Sequence, residues 1–367
     1  MPRKPDTPLR RGWTTGACAA AAARAAYQAL LAGNFPERVA IRLPKGDAPS
    51  FAIERTAEGE GWAEAGVIKD AGDDPDVTHG ALILTRIAPA PPGAGLVFRA
   101  GTGVGTVTRP GLKLAVGEPA INPGPRRYIQ WAIEDAAAEC GGPTAPDLEI
   151  TISIPGGVDL ALKTMNGRLG ILGGLSVLGT TGIVVPYSCA SWIHSIQRGV
   201  DVARAAGIEH LAAATGSTSE AAIRQLYGLP EQALIDMGDF VGGTLKYLKR
   251  HPVGTLTLAG GFAKMAKLAA GHLDLHSSRS RVETAALARL LGDLGASAEA
   301  VADAAAAAGA GEVLAIAHGL GADFEAALVR RIAAAARDVA LAQLAGKTAI
   351  EVAIFDRTGM LAGRAGP

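Results

Sequence analysis

Four aspartates crowd one short stretch, Lys69-Asp-Ala-Gly-Asp-Asp-Pro-Asp-Val-Thr-His79, in which Asp70, Asp73, Asp74 and Asp76 follow an apolar run. Carboxylates this close repel one another unless something answers them. The loop is therefore a solvated turn, a set of Asx-turns tied to backbone amides, or a shell around a cation or a donor-bearing substrate. It lacks the D-x-[DN]-x-[DN]-G order of an EF-hand, which sets calcium sensing aside. A second group sits in the later half, at Thr215-Gly-Ser-Thr218, Met237-Gly-Asp-Phe240 and Ala259-Gly-Gly-Phe262. Gly216, Gly238, Gly260 and Gly261 stand where a backbone approaches something closely or takes a positive φ. Asp236 and Asp239 lie about twenty residues beyond Gly216, the separation at which a nucleotide-binding α/β domain offers a carboxylate to ribose hydroxyls. No G-x-G-x-x-G occurs at Gly216, so a structural turn with Asp239 capping the next helix stands beside the cofactor-binding reading.

Other candidates are weaker by type or spacing. Ala100-Gly-Thr-Gly-Val-Gly-Thr106 contains G-x-G-x-G, but Arg109-Pro-Gly111 follows where a helix should begin, which favours a substrate loop or plain turn over a phosphate cradle. No G-x-x-x-x-G-K-[ST] is present, and that removes the P-loop reading. His272 and His276 are four apart, yet Gly271 interrupts the helix and no third ligand lies near in sequence; no protein-bound metal is expected. Ser188, Ser191 and Ser195 surround His194 without a G-x-S-x-G elbow. Lys264 and Lys267 share one helical face, where either anion recognition or simple solvation fits. Thr14, Thr15 and Gly16 open a helix whose amides favour an anion, capping alone being the plainer reading.

These residues need elements to hold them. A helix runs from Thr14 or Thr15 to Gly33-Asn34, and Val39 to Leu43, Ser50 to Arg55, Trp62 to Ile68 and Ala81 to Ile87 read as strands. A Pro/Gly hinge at Pro89 to Gly95 is followed by a strand at Leu96 to Ala100, a helix from Arg126 to Cys140 and a strand at Leu148 to Ile154. That makes residues 1–165 an α+β domain. From Ile183 the pattern becomes strand, glycine, helix, repeated through about Ala270, which predicts an α/β Rossmann-like domain with a mainly parallel sheet over residues 166–367. Two long alanine-rich helices, at about 281–309 and 320–345, and a last strand at Ala349 to Phe355 complete it. In such a sheet ligands sit beyond the carboxyl ends of the strands, so the three glycine turns are the expected contacts.

Bulk properties narrow the class. The 367 residues carry 35 basic and 35 acidic side chains, which cancel, so neither nucleic acid nor an anionic membrane is an expected partner. Cys18, Cys140 and Cys189 are far apart without a CxxC pair, as suits reduced thiols in the cytoplasm. Arg10-Arg11 before an alanine stretch imitates an export signal, but Arg24 and Gln28 break the stretch, and no run reaches the roughly 20 apolar residues of a membrane span.

Taken together, several segments resemble the cobalt-precorrin-5B C1-methyltransferase family of the oxygen-independent cobalamin pathway. They are Leu9-Arg-Arg-Gly-Trp-Thr-Thr-Gly-Ala-Cys-Ala-Ala-Ala-Ala-Ala23, the acidic loop from Lys69 to Gly80, Gly101 to Thr106 with Pro119 to Pro123, Leu169 to Val184, and Gly260 to Gly271 with His276-Ser277. The blocks keep the family's order; Trp13, Ala17 and Phe262-Ala263 depart from its usual residues. The resemblance implies methyl transfer from S-adenosylmethionine to C1 of cobalt-precorrin-5B, giving cobalt-precorrin-6A and S-adenosylhomocysteine. On that reading Asp70 and Asp74 hold ring nitrogens or tune ring charge, while Gly216, Asp236, Gly238, Asp239, Gly260 and Gly261 contact the cofactor. The ring edge bears acetates and propionates, for which Thr14, Thr15, Gly16, Arg109, Thr180, Thr181, Lys264, Lys267 and His276 are the expected donors. A non-catalytic tetrapyrrole carrier is the alternative, and a homo-oligomer is left open.

Overall fold

The computed structural model describes residues 8–344 and 346–366. The chain gathers into two compact units that divide between Cys189 and Ala190.

The first unit forms around an alanine helix. β1 (Gly12–Trp13) leads into α1 (Thr15–Ala32), every residue of which from Thr15 to Ala26 is buried. A helix enclosed on all sides has no polar face, and alanine joins high helix propensity to the small bulk such enclosure demands. Arg24 is the charged exception, and its guanidinium donates to Glu139 and to the Ala40 carbonyl. β2 (Arg38–Ala40) and β3 (Ser50–Ala52) form a separate ribbon. β4 (Arg55–Gly59), β5 (Trp62–Ile68), β6 (Leu82–Pro89) and β7 (Leu96–Ala100) come next, followed by β8 (Thr106–Val107), α2 (Pro123–Cys140) and β9 (Leu148–Ser153). The main sheet runs β4-β5-β6-β9-β7, antiparallel except for the β7–β9 pair. α1 packs on β5, β6 and α2, as an α+β layer requires.

Residues 166–189, expected in the second domain, return to this first unit. After α3 (Gly157–Ala161), β10 (Ile171–Leu172) pairs with β8 and β11 (Ile183–Val184) with β1. The segment passes so close that a Cβ on Gly174 would lie 2.3 Å from the Gly103 carbonyl carbon. The same crowding explains the G-x-G-x-G run, since a Cβ on Gly103 would sit 2.0 Å from the Ile154 oxygen. Those glycines admit a chain crossing.

The second unit contains α4 (Cys189–Ala205), β12 (His210–Ala214), α5 (Ser217–Tyr227), β13 (Leu234–Asp236), α6 (Val241–Arg250), β14 (Thr255–Gly261) and α7 (Phe262–Ala269). It continues through α8 (Thr284–Asp293), α9 (Ala298–Ala306), α10 (Ala310–Leu320), α11 (Ala322–Leu344), β15 (Ala349–Phe355) and β16 (Leu361–Ala365). The sheet order is β13-β12-β14-β15-β16, parallel over the first four strands and antiparallel at β16. In order of appearance that is 2-1-3-4-5, a mainly parallel sheet as the alternation of strand, glycine and helix predicts. The direction of winding reverses between β12 and β14. The helix expected over 281–309 is broken: Gly295 turns the chain at φ 92, and Ser297 caps α9 by accepting from the Ala300 amide at 3.2 Å. The strand from Ala349 to Phe355 is not the last, because a turn at Asp356 folds β16 back upon it. Among the described residues no helix is long and apolar enough to cross a membrane.

Candidate functional site

Parallel register brings the carboxyl ends of β12, β13, β14 and β15 to one edge of the second sheet, with Ala214 beside Asp236 and Ala259, and Gly261 beside Phe355. Thr215 and Gly216 leave β12 and Gly261 leaves β14, so they flank the point where the winding reverses. Gly216 is exposed, and among the described residues nothing lies within 4 Å of a Cβ added there; at Gly261 the Phe355 oxygen alone of them does, at 3.9 Å. Both therefore leave room for a ligand to approach the backbone. Gly260 differs: it is buried, and its missing side chain is replaced by Met265 and Thr215, with contacts of 2.6 and 2.7 Å. It packs the turn from inside.

The β13–α6 turn carries the two carboxylates. Gly238 takes φ 56, and the Trp192 ring lies 3.5 Å from where its Cβ would be. The Trp192 indole donates to the Asp236 carbonyl at 3.1 Å and packs beside Phe240. Asp239 is ion-paired with Lys264. Burial, then the neighbouring Lys267, holds the Lys264 ammonium below the usual lysine range. Lys267 donates to the Leu275 carbonyl at 2.9 Å, and the Leu275 amide donates to the Asp239 carbonyl at 2.9 Å. His276 follows in the same segment, its ring 2.7 Å from the Ser278 hydroxyl. His272 instead bonds the Arg281 carbonyl at 3.1 Å. The structure thus gathers Gly216, Asp236, Gly238, Asp239, Gly261, Lys264, Lys267 and His276 around one sheet edge and its adjoining segment.

The remaining candidates, Gly260 aside, lie in the first unit, and all of these but Arg109 meet at one junction. The junction joins residues 10–16, 69–79 and 176–187. Arg10 forms a two-pronged pair with Asp70, one prong at 2.9 Å, and the Gly72 amide donates to the same carboxylate at 2.9 Å. Those bonds hold the Asp70 carboxyl down to a pKa of about 2, the Arg10 hydrogen bond contributing most. Asp73 accepts from the Arg10 amide at 2.6 Å and Asp74 from the Tyr187 amide at 2.9 Å. Asp76 meets Lys69, which is 1% exposed, at 2.6 Å. The aspartates are each answered by a donor, and the acidic loop becomes a clasp. Thr14 caps α1 by accepting from the Ala17 amide at 3.2 Å, while the Gly16 amide donates to Leu178 at 2.9 Å. Thr15 is buried, Thr180 is exposed, and Thr181 turns onto Ile183 at 3.3 Å. Arg109 lies apart from the junction, its stem covering Gly170.

The family model described as CbiD matches residues 2–186, and that described as CbiD, C-terminal domain, matches residues 274–366. The chain belongs to the CbiD family. A relative from Paramagnetospirillum magneticum is 59% identical over 97% of this chain and 98% of its own length. Another from a Bradyrhizobium species is 60% identical over 98% and 94%, and one from Halorhodospira halophila is 56% identical over 98% and 95%. All three bear the name Cobalt-precorrin-5B C(1)-methyltransferase. A crystal structure of the cobalamin biosynthesis protein cbiD from Archaeoglobus fulgidus is similar at 28% identity over 70% of this chain and 78% of that one, with a TM-score of 0.40.

The first CbiD match takes in all of the junction but Tyr187, and the C-terminal CbiD match takes in a turn at the sheet edge that sequence reasoning missed. There Asp356 accepts from the Thr358 amide at 2.8 Å, the Thr358 hydroxyl at 2.7 Å and the Met360 amide at 2.9 Å, and these bonds lower its pKa. Asp-x-Thr-Gly was the available signal, since that pattern ties an Asx-turn between paired strands. Trp192 was also missed; an aromatic at a helix start announces nothing until the fold sets it against Gly238.

Proposed function

We propose that this chain transfers the methyl group of S-adenosylmethionine to C1 of cobalt-precorrin-5B, giving cobalt-precorrin-6A and S-adenosylhomocysteine. The observation that carries the reading is 56–60% identity along 97–98% of the chain to proteins bearing that name. The cofactor's sulfonium supplies an activated methyl carbon that passes in line to a ring carbon while the carbon–sulfur electron pair stays on sulfur. The protein's share is alignment and a site that does not hydrate the cation.

The sheet edge fits such a nucleoside. Gly216 and Gly261 let it approach the backbone where the winding reverses, the usual ligand position in an open parallel sheet. Trp192 offers the adenine a flat apolar wall beside Gly238, and Asp236 stands at the end of β13 for the ribose hydroxyls. Lys264 pairs Asp239, so this carboxylate braces the turn, and Lys267 holds the segment that ends in His276. Asp70 serves as an ionised staple, and Asp74 ties the loop to the Tyr187 amide. A carboxyl with a pKa of about 2 stays charged at neutral pH and acts on a substrate through its field and its donors, not as a base. The reaction belongs to the cytoplasm on this reading.

Purified protein incubated with S-adenosylmethionine and cobalt-precorrin-5B should convert the pigment to a product one methyl group heavier. A chain that binds the pigment, lacks affinity for S-adenosylmethionine and leaves the pigment mass unchanged would be a carrier, and the proposal would fall.

A further inference from the structure

Tyr128 is 1% exposed, and its hydroxyl has no hydrogen-bond partner among the described residues. A buried orphan hydroxyl lowers stability, so its retention calls for a use. The side chain leans back along α2 toward the amino end of the helix, where a Cβ on Gly124 would lie 3.5 Å from the hydroxyl and 2.5 Å from the Gly179 oxygen.

Two helix starts meet at that place. A Cβ on Gly16, in the first turn of α1, would sit 2.5 Å from Pro125, in the first turn of α2, and 3.0 Å from the Leu178 oxygen. Neither helix has an acidic residue in its first turn, and Asn122 makes no side-chain cap on α2. Each amino end carries about half a positive charge, so their meeting favours an anion. Glu118 is already tied to Arg126 at 2.5 Å. The Gly16 and Ala17 amides are answered by Leu178 and Thr14, whereas the buried tyrosine hydroxyl is a donor still unused.

We propose that the convergent amino ends of α1 and α2 form an oxyanion site whose buried donor is the Tyr128 hydroxyl and whose ligand is a carboxylate. The strap from Gly179 to Gly182 covers it. Gly179 at φ 140 and Gly182 at φ 81 hold backbone conformations open to glycine, and the Gly182 carbonyl accepts from the Thr14 amide at 2.9 Å, so a carboxylate reaches the hydroxyl only by displacing this strap. On the proposed methyl transfer, the ligand is a carboxylate on the macrocycle's rim and not the carboxylate of the methyl donor.

The test uses the full chain labelled with [13Cζ]tyrosine, the Tyr128 signal being assigned as the one lost in Tyr128→Phe. Propionate should shift that signal, whereas S-adenosylhomocysteine and inorganic phosphate at equal concentration should leave it in place. In turnover, Tyr128→Phe should raise KM for the macrocycle roughly ten-fold, the loss expected for one hydrogen bond to a charged group, with KM for S-adenosylmethionine unchanged. The variant should melt no lower than the wild type, since it removes an unpaired buried group. An unmoved signal with propionate overturns the site; a shift with S-adenosylhomocysteine or phosphate overturns its assignment to a macrocycle carboxylate. If propionate binds at Tyr128 but no methyl is transferred, the function fails and the site stands. Methyl transfer with unaltered KM in Tyr128→Phe has the opposite meaning.

Discussion

At Asp70 the carboxylate and the Arg10 guanidinium face each other across two bonds, and the sign of their pH dependence follows from the direction of the shift. The folded pKa of about 2 lies below the ordinary 3.8. The stability it adds is therefore fully present above about pH 4 and is lost as pH falls through the folded value. The Asp70 side chain is 42% exposed, so solvent screens the pair and the effect is small. Wild type should resist urea better than Asp70→Asn at pH 6, and the gap should shrink steadily toward pH 2; a gap independent of pH would refute the ionised clasp. Trp192 makes a different claim. Replacing it with leucine keeps an apolar side chain but removes the flat wall and the bond to the Asp236 carbonyl. Affinity for S-adenosylhomocysteine should fall about ten-fold by calorimetry, in the range of roughly 1–3 kcal/mol for a lost aromatic stack. An unchanged affinity would move the adenine elsewhere.

Two glycines at element ends separate packing from binding. Gly16 is enclosed at the start of α1, and a Cβ there meets Pro125 at 2.5 Å; Gly16→Ala should cost about 1–3 kcal/mol by overpacking, read as a lower melting temperature. Gly216 leads from β12 to α5 with φ 176 and open space above it. Gly216→Ala should leave the melting temperature within about 1 °C while weakening S-adenosylhomocysteine binding, because the added methyl stands where the nucleoside approaches. This pair also shows what was legible in the sequence. The turns after β12, β13 and β14 were readable because strand, glycine and helix alternate there with sharp composition changes. Alanine erased such contrast between 281 and 320, so α10 and the break between α8 and α9 did not show. The clasp was readable as an acidic loop, but its partners were not: Asp74 reaches Tyr187 and Asp70 reaches Arg10, and pairings so distant in sequence leave no local period. Tyr128 was invisible for the same reason, reading as one more apolar residue on an amphipathic helix.

The division between Cys189 and Ala190 predicts how the chain can be cut. A fragment ending at residue 165 loses β10 and β11, so β1 and β8 lose their partners. The Thr14 and Gly16 amides lose the Gly182 and Leu178 carbonyls, and Asp74 loses the Tyr187 amide. Four segments would then present unpaired polar groups around an alanine helix that depends on enclosure, since alanine alone buries too little apolar surface to hold a helix in place. A fragment of residues 8–189 retains every one of these bonds and should unfold in a single cooperative urea transition, whereas 8–165 should show no such transition or aggregate. Residues 190–366 keep β12 through β16 with α5, α7 and α11 against them, and should fold separately and retain affinity for S-adenosylhomocysteine. Cooperative folding of 8–165 would mean that the crossover segment adds nothing to the first unit. Loss of all cofactor affinity in a folded 190–366 fragment would mean that the sheet edge alone does not make the nucleoside site.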